Sequence, residues 1–392
     1  MNRSIAFTSW AARRSGLVLV LAMALLLPAS LVLLSSEASA QSGSVRLDND
    51  QPLATPGPTD GGVPGNTRGL SSDSDLWRNI RHGVEGRVSI PDEKAGILVQ
   101  SSGEQWQLLR DGPLQVYSGW ALIGIIVLLA AFFALRGRIR IEHGKAGVTL
   151  QRFKQVERFG HWLLAISFIV LAITGLNLLF GREVLIPLFG KEFFADITLW
   201  GKMVHNYVAF PFMAGLILIF FMWVLHNLPS ITDIKWLAMG GGVLFKDLHP
   251  PAKKFNAGQK LIFWSVILGG LSLSLSGWAL LFPFQTAFFT DTFVQLQSIG
   301  IDLAAFLGLP QPPYDVIMEQ QLNQIWHTIV AVVMICIILA HIYIGSVGME
   351  GAYDAMGNGQ VDRNWAREHH SIWAAEVEKK QARERELREP AE

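Results

Sequence analysis

The sequence predicts an all-α polytopic membrane protein: a four-helix transmembrane bundle, one transmembrane helix before it, and a small exported segment at the amino terminus. Three observations carry this. Charged residues make up 16% of the 392 positions and hydrophobic ones 51%, whereas an ordinary soluble domain carries about 25% charged residues. Five apolar stretches follow residue 117, at or near the ~20 residues that cross a bilayer as a helix. The loops between them alternate between basic and acidic.

Residues 1–40 open with Arg3, Arg13 and Arg14, continue through an apolar run at 16–34 and end on Ala38-Ser39-Ala40. This order is that of a secretory signal peptide cut after Ala40; the length of the apolar run leaves an uncleaved anchor as the alternative. Residues 41–117 are expected to be a periplasmic segment. Its first part, to residue 74, is rich in Gly, Pro, Ser, Asn and Asp, a composition that does not bury a core. Its second part has short alternating runs, Arg87-Val88-Ser89-Ile90 and Gly96-Ile97-Leu98-Val99, which predict β structure docked on a partner.

The first transmembrane helix is expected at 118–135, short enough to need snorkelling flanks. A cytoplasmic linker at 136–160 leads to the bundle at 161–348, with spans at 161–180, 199–226, 259–283 and 322–348. A cytoplasmic tail at 349–392 follows, whose charged stretch from 363 reads as a solvated face. Orientation comes from Lys and Arg. Segment 136–160 holds Arg136, Arg138, Arg140, Lys145, Arg152, Lys154 and Arg158, and segment 227–260 holds Lys235, Lys246, Lys253, Lys254 and Lys260. Segment 284–321 has no Lys or Arg, and contains Asp291, Asp302, Asp315 and Glu319. The expected site is therefore the bacterial inner membrane, with the mature amino terminus periplasmic and the carboxyl terminus cytoplasmic.

Net charge is zero, so no bulk attraction to nucleic acid is implied. The one cysteine, Cys336, excludes an intrachain disulfide, a Cys-rich iron–sulfur site and a covalent c-type haem.

The chemistry lies in the histidines. The last span, 322–348, carries no Lys, Arg, Asp or Glu, yet contains His327 and His341. Their 14-residue separation (341 − 327) brings the two rings to within about 40° on one helix face, about 21 Å apart along the axis. Ionisable groups inside a membrane are costly and usually functional. Topology converts the other histidines to depths: His161 lies near the cytoplasmic surface and His205 near the periplasmic one. Two depth-matched pairs result, His205 with His327 and His161 with His341. Two neutral imidazoles on opposite faces of an iron porphyrin make a six-coordinate haem suited to electron transfer, so two haem b groups, one per leaflet, are expected. The plainer alternative makes these histidines hydrogen-bonding members of helix interfaces. His226, where the third span leaves the membrane, is the competitor to His161. Surface roles are the default for His143, His249, His369 and His370. Gly175, Ala209, Gly215, Gly269, Gly270 and Gly277 admit either a porphyrin or a close helix.

Several motifs carry a family resemblance: Glu157-Arg158-Phe159-Gly160-His161-Trp162, Met203-Val204-His205-Asn206, Lys254-Phe255-Asn256-Ala257-Gly258-Gln259-Lys260, Trp326-His327 and Ala340-His341-Ile342-Tyr343. In the tail, Gly359-Gln360-Val361-Asp362-Arg363-Asn364-Trp365-Ala366 and His369-His370 add to them. From about residue 152 to 375 the chain resembles the cytochrome b (gamma) subunit of membrane-bound respiratory formate dehydrogenase. The exported segment and the first span depart from the short four-span members. The resemblance implies a molybdenum or tungsten pterin catalytic (alpha) subunit that oxidises formate, and an iron–sulfur (beta) subunit that feeds electrons to this chain. It implies transfer from the periplasmic to the cytoplasmic haem, and reduction of a quinone (menaquinone or ubiquinone) near Asn256, Gly258, Gln259 and His341. Amides at a membrane boundary can bond a quinone carbonyl; without the resemblance, Asn256 reads as a helix cap. The rivals are a cytochrome b serving a hydrogenase or a thiosulfate or polysulfide reductase, and a haem-free anchor or transporter. No nucleophile or acid–base pair marks the chain as catalytic for formate by itself.

Overall fold

The computed structural model describes residues 103–242 and 248–387. The leader at 1–40 and the alternating runs at 87–90 and 96–99 lie outside the described residues. Contacts divide the chain into two compact units, and the second, Gln105–Glu392, holds the helices from α2 onward. Where the expected β segment enters the described residues it is helical: α1, Gly103–Leu109, reads GEQWQLL. It has no β-branched residue and is rich in Glu, Gln and Leu, which favour a helix. A π turn, Arg110–Leu114, leads into α2, Gln115–Arg136, which ends at Gly137 with φ 69°.

Among the described residues four helices are long and apolar enough to cross a membrane. One of them contains two of the expected spans. This is α3, Gln155–Trp223, whose 69 residues break at Gly190, φ 86° and ψ 171°. That backbone region is open to glycine and strained for other residues. A straight helix of this length would run about 100 Å; instead its arms, 155–189 and 191–223, fold back on one another. Trp223 Nε1 donates to Glu157 at 2.9 Å, and Asn177 Nδ2 donates to Thr198 at 3.1 Å. Between these, a Cβ on Gly215 would lie 2.9 Å from the Leu164 backbone nitrogen, so glycine lets the arms touch backbone to backbone.

A 3₁₀ turn, Val224–Asn227, and a short helix α4, Ile231–Ala238, lead to α5, Ala257–Leu281. On one side α5 meets the second arm of α3, where Gly270 faces Leu216 and Phe212. On the other side it runs antiparallel to α8, Val316–Tyr343. Gln320 bonds Ala279 O, Trp326 bonds Ser272, and Gly269 faces Met334. The four segments form an up-and-down bundle. The connection from α5 to α8 carries α6, Phe288–Ser298, and α7, Leu303–Phe306. Glu319, 2% exposed, receives Phe289 N at 2.6 Å and Thr290 N at 3.1 Å at the start of α6, where a carboxylate favours the helix dipole. Outside the bundle α2 lies along α8, with Phe132 and Phe133 edge-on to Tyr343.

At the opposite end from α6 the connections and tail fold into a cap. Strand β1, Thr149–Gln151, pairs antiparallel with β2, Gln360–Asp362, in the register Leu150↔Val361. Short helix α9, Asp354–Gly357, precedes β2; α10, Arg363–His369, and α11, Ser371–Glu386, follow it. The tail is not the solvated face expected from its charge. Trp365, Ala366, His370, Trp373 and Ala374 are all buried, and exposure dominates only the later part of α11. Trp365, Ala366, Trp373 and Ala374 join a hydrophobic cluster with Ile141, Leu150, Phe153 and Val361, and Arg152, itself 3% exposed, lies within 5.0–5.4 Å of the rings of Phe153, Trp365 and Trp373. A buried guanidinium needs both partners and aromatic faces.

Candidate functional site

The histidines that match in depth meet in space. His161, on the first arm of α3, and His341, on α8, have ring centres 6.3 Å apart. His205, on the second arm, and His327, also on α8, are likewise 6.3 Å apart. All four are half-buried. Imidazoles bound on opposite sides of one metal ion at about 2.0–2.1 Å per bond, each ring centre roughly 1.1 Å farther out, have centres about 6.3 Å apart. One metal ion would fit between the rings of either pair.

The two pairs are held differently. His205 Nδ1 lies 2.8 Å from Thr174 Oγ1, and His327 Nδ1 lies 2.8 Å from Ser276 Oγ. Each hydroxyl is followed in sequence by a glycine whose absent Cβ would touch the same ring, at 3.4 Å for Gly175 and His205 and 3.5 Å for Gly277 and His327. His161 stands edge-on to Trp162, at 5.4 Å, and its Nδ1 is buried without a partner. The residues around His161 reach into the cap. Glu157 accepts from Lys154 N and Lys254 Nζ, each at 2.8 Å. Arg158 donates to the carbonyls of Met356, Gly357 and Asn358, and Trp162 donates to Met356 O at 3.0 Å. Gly160 makes room for Met222.

His226 packs on Phe255, ring centres 6.5 Å apart, and lines a cavity of about 550 Å³ with Lys253, Lys254, Lys260 and Trp373. Asn256 caps α5. Its Oδ1 accepts from Gln259 N at 2.9 Å, while Gln259 Oε1 accepts from Asn256 N at 3.1 Å, a reciprocal capping box. The carbonyl oxygens are thus committed, and among the described residues the two half-buried amide NH₂ groups have no protein partner. Gly258 lies under Trp236. No hydrogen bond or ring contact joins these three to His341 among the described residues.

Sequence reasoning missed the Arg152 cluster beneath them. Arg152 donates to Lys254 O at 2.6 Å and meets His370 Nε2 at 3.0 Å, while His370 Nδ1 lies 2.8 Å from Lys253 O. A guanidinium only donates and a carbonyl only accepts. His370 is therefore the neutral Nδ1–H tautomer, and burial followed by the Arg152 charge pushes its pKa well below the usual value. His370, 1% exposed, is not the surface histidine expected. Burial also pushes His369 down, to about 4. His143 does remain at the surface, against Glu368. Thr174 and Ser276 were missed too; the available signal was the repeated hydroxyl–glycine dipeptide, Thr174-Gly175 and Ser276-Gly277, on two different helices.

The residues present fit haem: two facing imidazole pairs, small residues against two of the rings, and the surfaces of the long apolar helices around them.

Comparison with known proteins bears on the same region. A family model described as prokaryotic cytochrome b561 matches residues 152–359. The cytochrome b556(Fdn) subunit of the nitrate-inducible formate dehydrogenase of Escherichia coli K12 is 28% identical over 235 residues, 59% of this chain and 93% of that one. The formate dehydrogenase cytochrome b556(fdo) subunit of the same strain is 27% identical over 232 residues, covering 59% and 94%. The formate dehydrogenase cytochrome b556 subunit of Haemophilus influenzae is 24% identical over 228 residues, covering 57% and 82%.

Proposed function

The chain belongs to the prokaryotic cytochrome b561 family, and we propose that it is the di-haem cytochrome b subunit of a respiratory formate dehydrogenase. In this reading it carries electrons from a periplasmic iron–sulfur subunit across the bacterial inner membrane to quinone. The observation that carries the reading is the pair of facing-histidine contacts, each at 6.3 Å, on opposite ends of one bundle. The similarity to formate dehydrogenase subunits supports the choice of complex.

Haem b, when bound, supplies reversible one-electron chemistry at iron. The chain's own residues fix where that happens. His205 and His327 would hold one haem and His161 and His341 the other, with apolar helices excluding water. The basic segments 137–154 and 249–256 and the tail share the cap, which supports a cytoplasmic cap and carboxyl terminus; the α6–α7 connection is then periplasmic. Residues 1–40 are read as the export signal and 41–117 as a periplasmic segment beside the catalytic and iron–sulfur partners.

The quinone headgroup is assigned to the cap end, at Asn256, Gly258 and Gln259, on the side of the bundle where His341 lies. The two uncommitted amide NH₂ groups are the donors suited to its carbonyls. Reducing a quinone takes up two electrons and two protons; at this end the protons come from the cytoplasm while the electrons come from the periplasm, so turnover charges the membrane.

The test uses the complex purified with its partner subunits. Formate should reduce the haem absorption bands and added quinone should reoxidise them. Haem bands that formate leaves oxidised, in a preparation that contains the partners, would overturn the assignment to formate dehydrogenase.

A further inference from the structure

We propose that Thr174 and Ser276 are positioning residues that set the electronic character of the His205–His327 site, fixing both rings as Nε2 lone-pair donors and giving a haem held there a lower potential than one at the His161–His341 site. This rests on the di-haem reading and adds to it an ordering of the two sites.

A hydroxyl has one proton to donate. Inside a helix that proton goes back to a carbonyl of the preceding turn. Both hydroxyls do this: Thr174 Oγ1 lies 2.8 Å from Val170 O, and Ser276 Oγ lies 2.8 Å from Ser272 O. With the proton spent, each oxygen can only accept from the imidazole, so Nδ1 of His205 and of His327 carries the hydrogen. Nε2 of each ring is then an unprotonated lone pair.

An acceptor on the far nitrogen makes an imidazole more basic toward its metal. A more basic ligand favours the oxidised, more positive iron and so lowers the potential. The His205–His327 site has two such acceptors. At the other site His161 Nδ1 is buried without one. The difference runs in the direction of transfer, from the low-potential site toward the high-potential one. That the same hydroxyl–glycine dipeptide performs the same contact from the first arm of α3 and from α5 makes it a repeated device of the bundle.

The test is a spectroscopic redox titration of the assembled complex. The midpoint belonging to the His205–His327 site is the one lost in His205→Ala. In the wild type it should be the lower of the two. Thr174→Val and Ser276→Ala should each raise it, the double variant should raise it further, and the other midpoint should stay in place. The swaps Thr174→Ser and Ser276→Thr keep the acceptor and should keep the wild-type midpoint, which a packing role for the methyl group would not predict. If Thr174→Val loses its haem, Ser276→Ala decides alone. An unmoved midpoint with both haems bound, or an equal shift of both midpoints, overturns the inference while leaving the di-haem reading intact; a wild-type complex without haem overturns that reading itself.

Discussion

The two histidine layers of this bundle have the same ring separation and opposite kinds of support. The His205–His327 layer is organised from within the helices: one hydroxyl and one glycine per ring. The His161–His341 layer is organised from outside them. Within four residues of His161, Glu157 accepts from Lys254, and Arg158 and Trp162 donate to the carbonyls of 356–358. One layer is thus set by single side chains about one turn from their own backbone acceptors. The other depends on a folded cap built from residues up to two hundred positions away. Equal geometry at two sites therefore need not mean equal sensitivity to the same perturbation.

The largest expected effects break the layers one at a time. Replacing His205 or His327 with Ala should remove one haem and leave the other, and replacing His161 or His341 should do the converse. His226→Ala should spare both, since that ring lies on Phe255. Haem content and absorption spectra of the purified variants decide this. Loss of a haem from His226→Ala with retention in His161→Ala would reverse the pairing at the cap end.

A second effect separates the two kinds of support. Arg158→Met removes a donor from each of three carbonyls, of which Met356 O keeps Trp162 Nε1, and a polar group left unpaired in the interior costs roughly 1–3 kcal/mol. The cap should become sensitive to protease and the spectrum of the His161–His341 haem should broaden, while the His205–His327 signals stay unchanged. Equal disturbance of both layers would show that the cap is not specific to one.

Much of this was legible in the sequence. Helical spacing put His327 and His341 on one face, and the distribution of Lys and Arg gave the depths that matched them with His205 and His161. The fold-back in α3 was legible as two separate spans, though not its sharpness at Gly190. The cap was not legible, because its core joins Arg152 to Trp365, His370 and Trp373 across more than two hundred residues, within segments whose average character is polar. The grip of Thr174 and Ser276 was hidden for another reason. A hydroxyl in a helix ordinarily bonds its own backbone, and these do so while also reaching a second helix. Asn256 shows the converse, since the cap that local sequence suggests is present and the amide keeps two donors for another use.

Acid should act on the cap before it acts on the bundle. His369 titrates at about 4 in the folded chain against 6.5 for the free side chain, and His370 is lowered in the same sense. The unfolded cap therefore binds more protons than the folded one between these values, so stability is fully present above pH 6.5 and falls as pH drops toward 4. Tail proteolysis should accelerate across that window, with the His205–His327 spectrum unaffected. A flat response would mean these rings are already charged in the fold.

The smallest effect concerns α5. Asn256→Ala should cost about 1 kcal/mol through the lost cap, seen as a modest fall in melting temperature. It should also slow reoxidation of the haems by quinone while formate reduction proceeds. Full quinone reductase activity in this variant and in Gln259→Ala would leave Asn256 as a helix cap alone and move the quinone elsewhere.

If two histidine pairs hold two haems in one chain, the haem-to-protein ratio of the purified protein reads the number out. The expected ratio is about two, falling to about one in His205→Ala and in His161→Ala; a wild-type ratio near one or zero rules out two haems per chain.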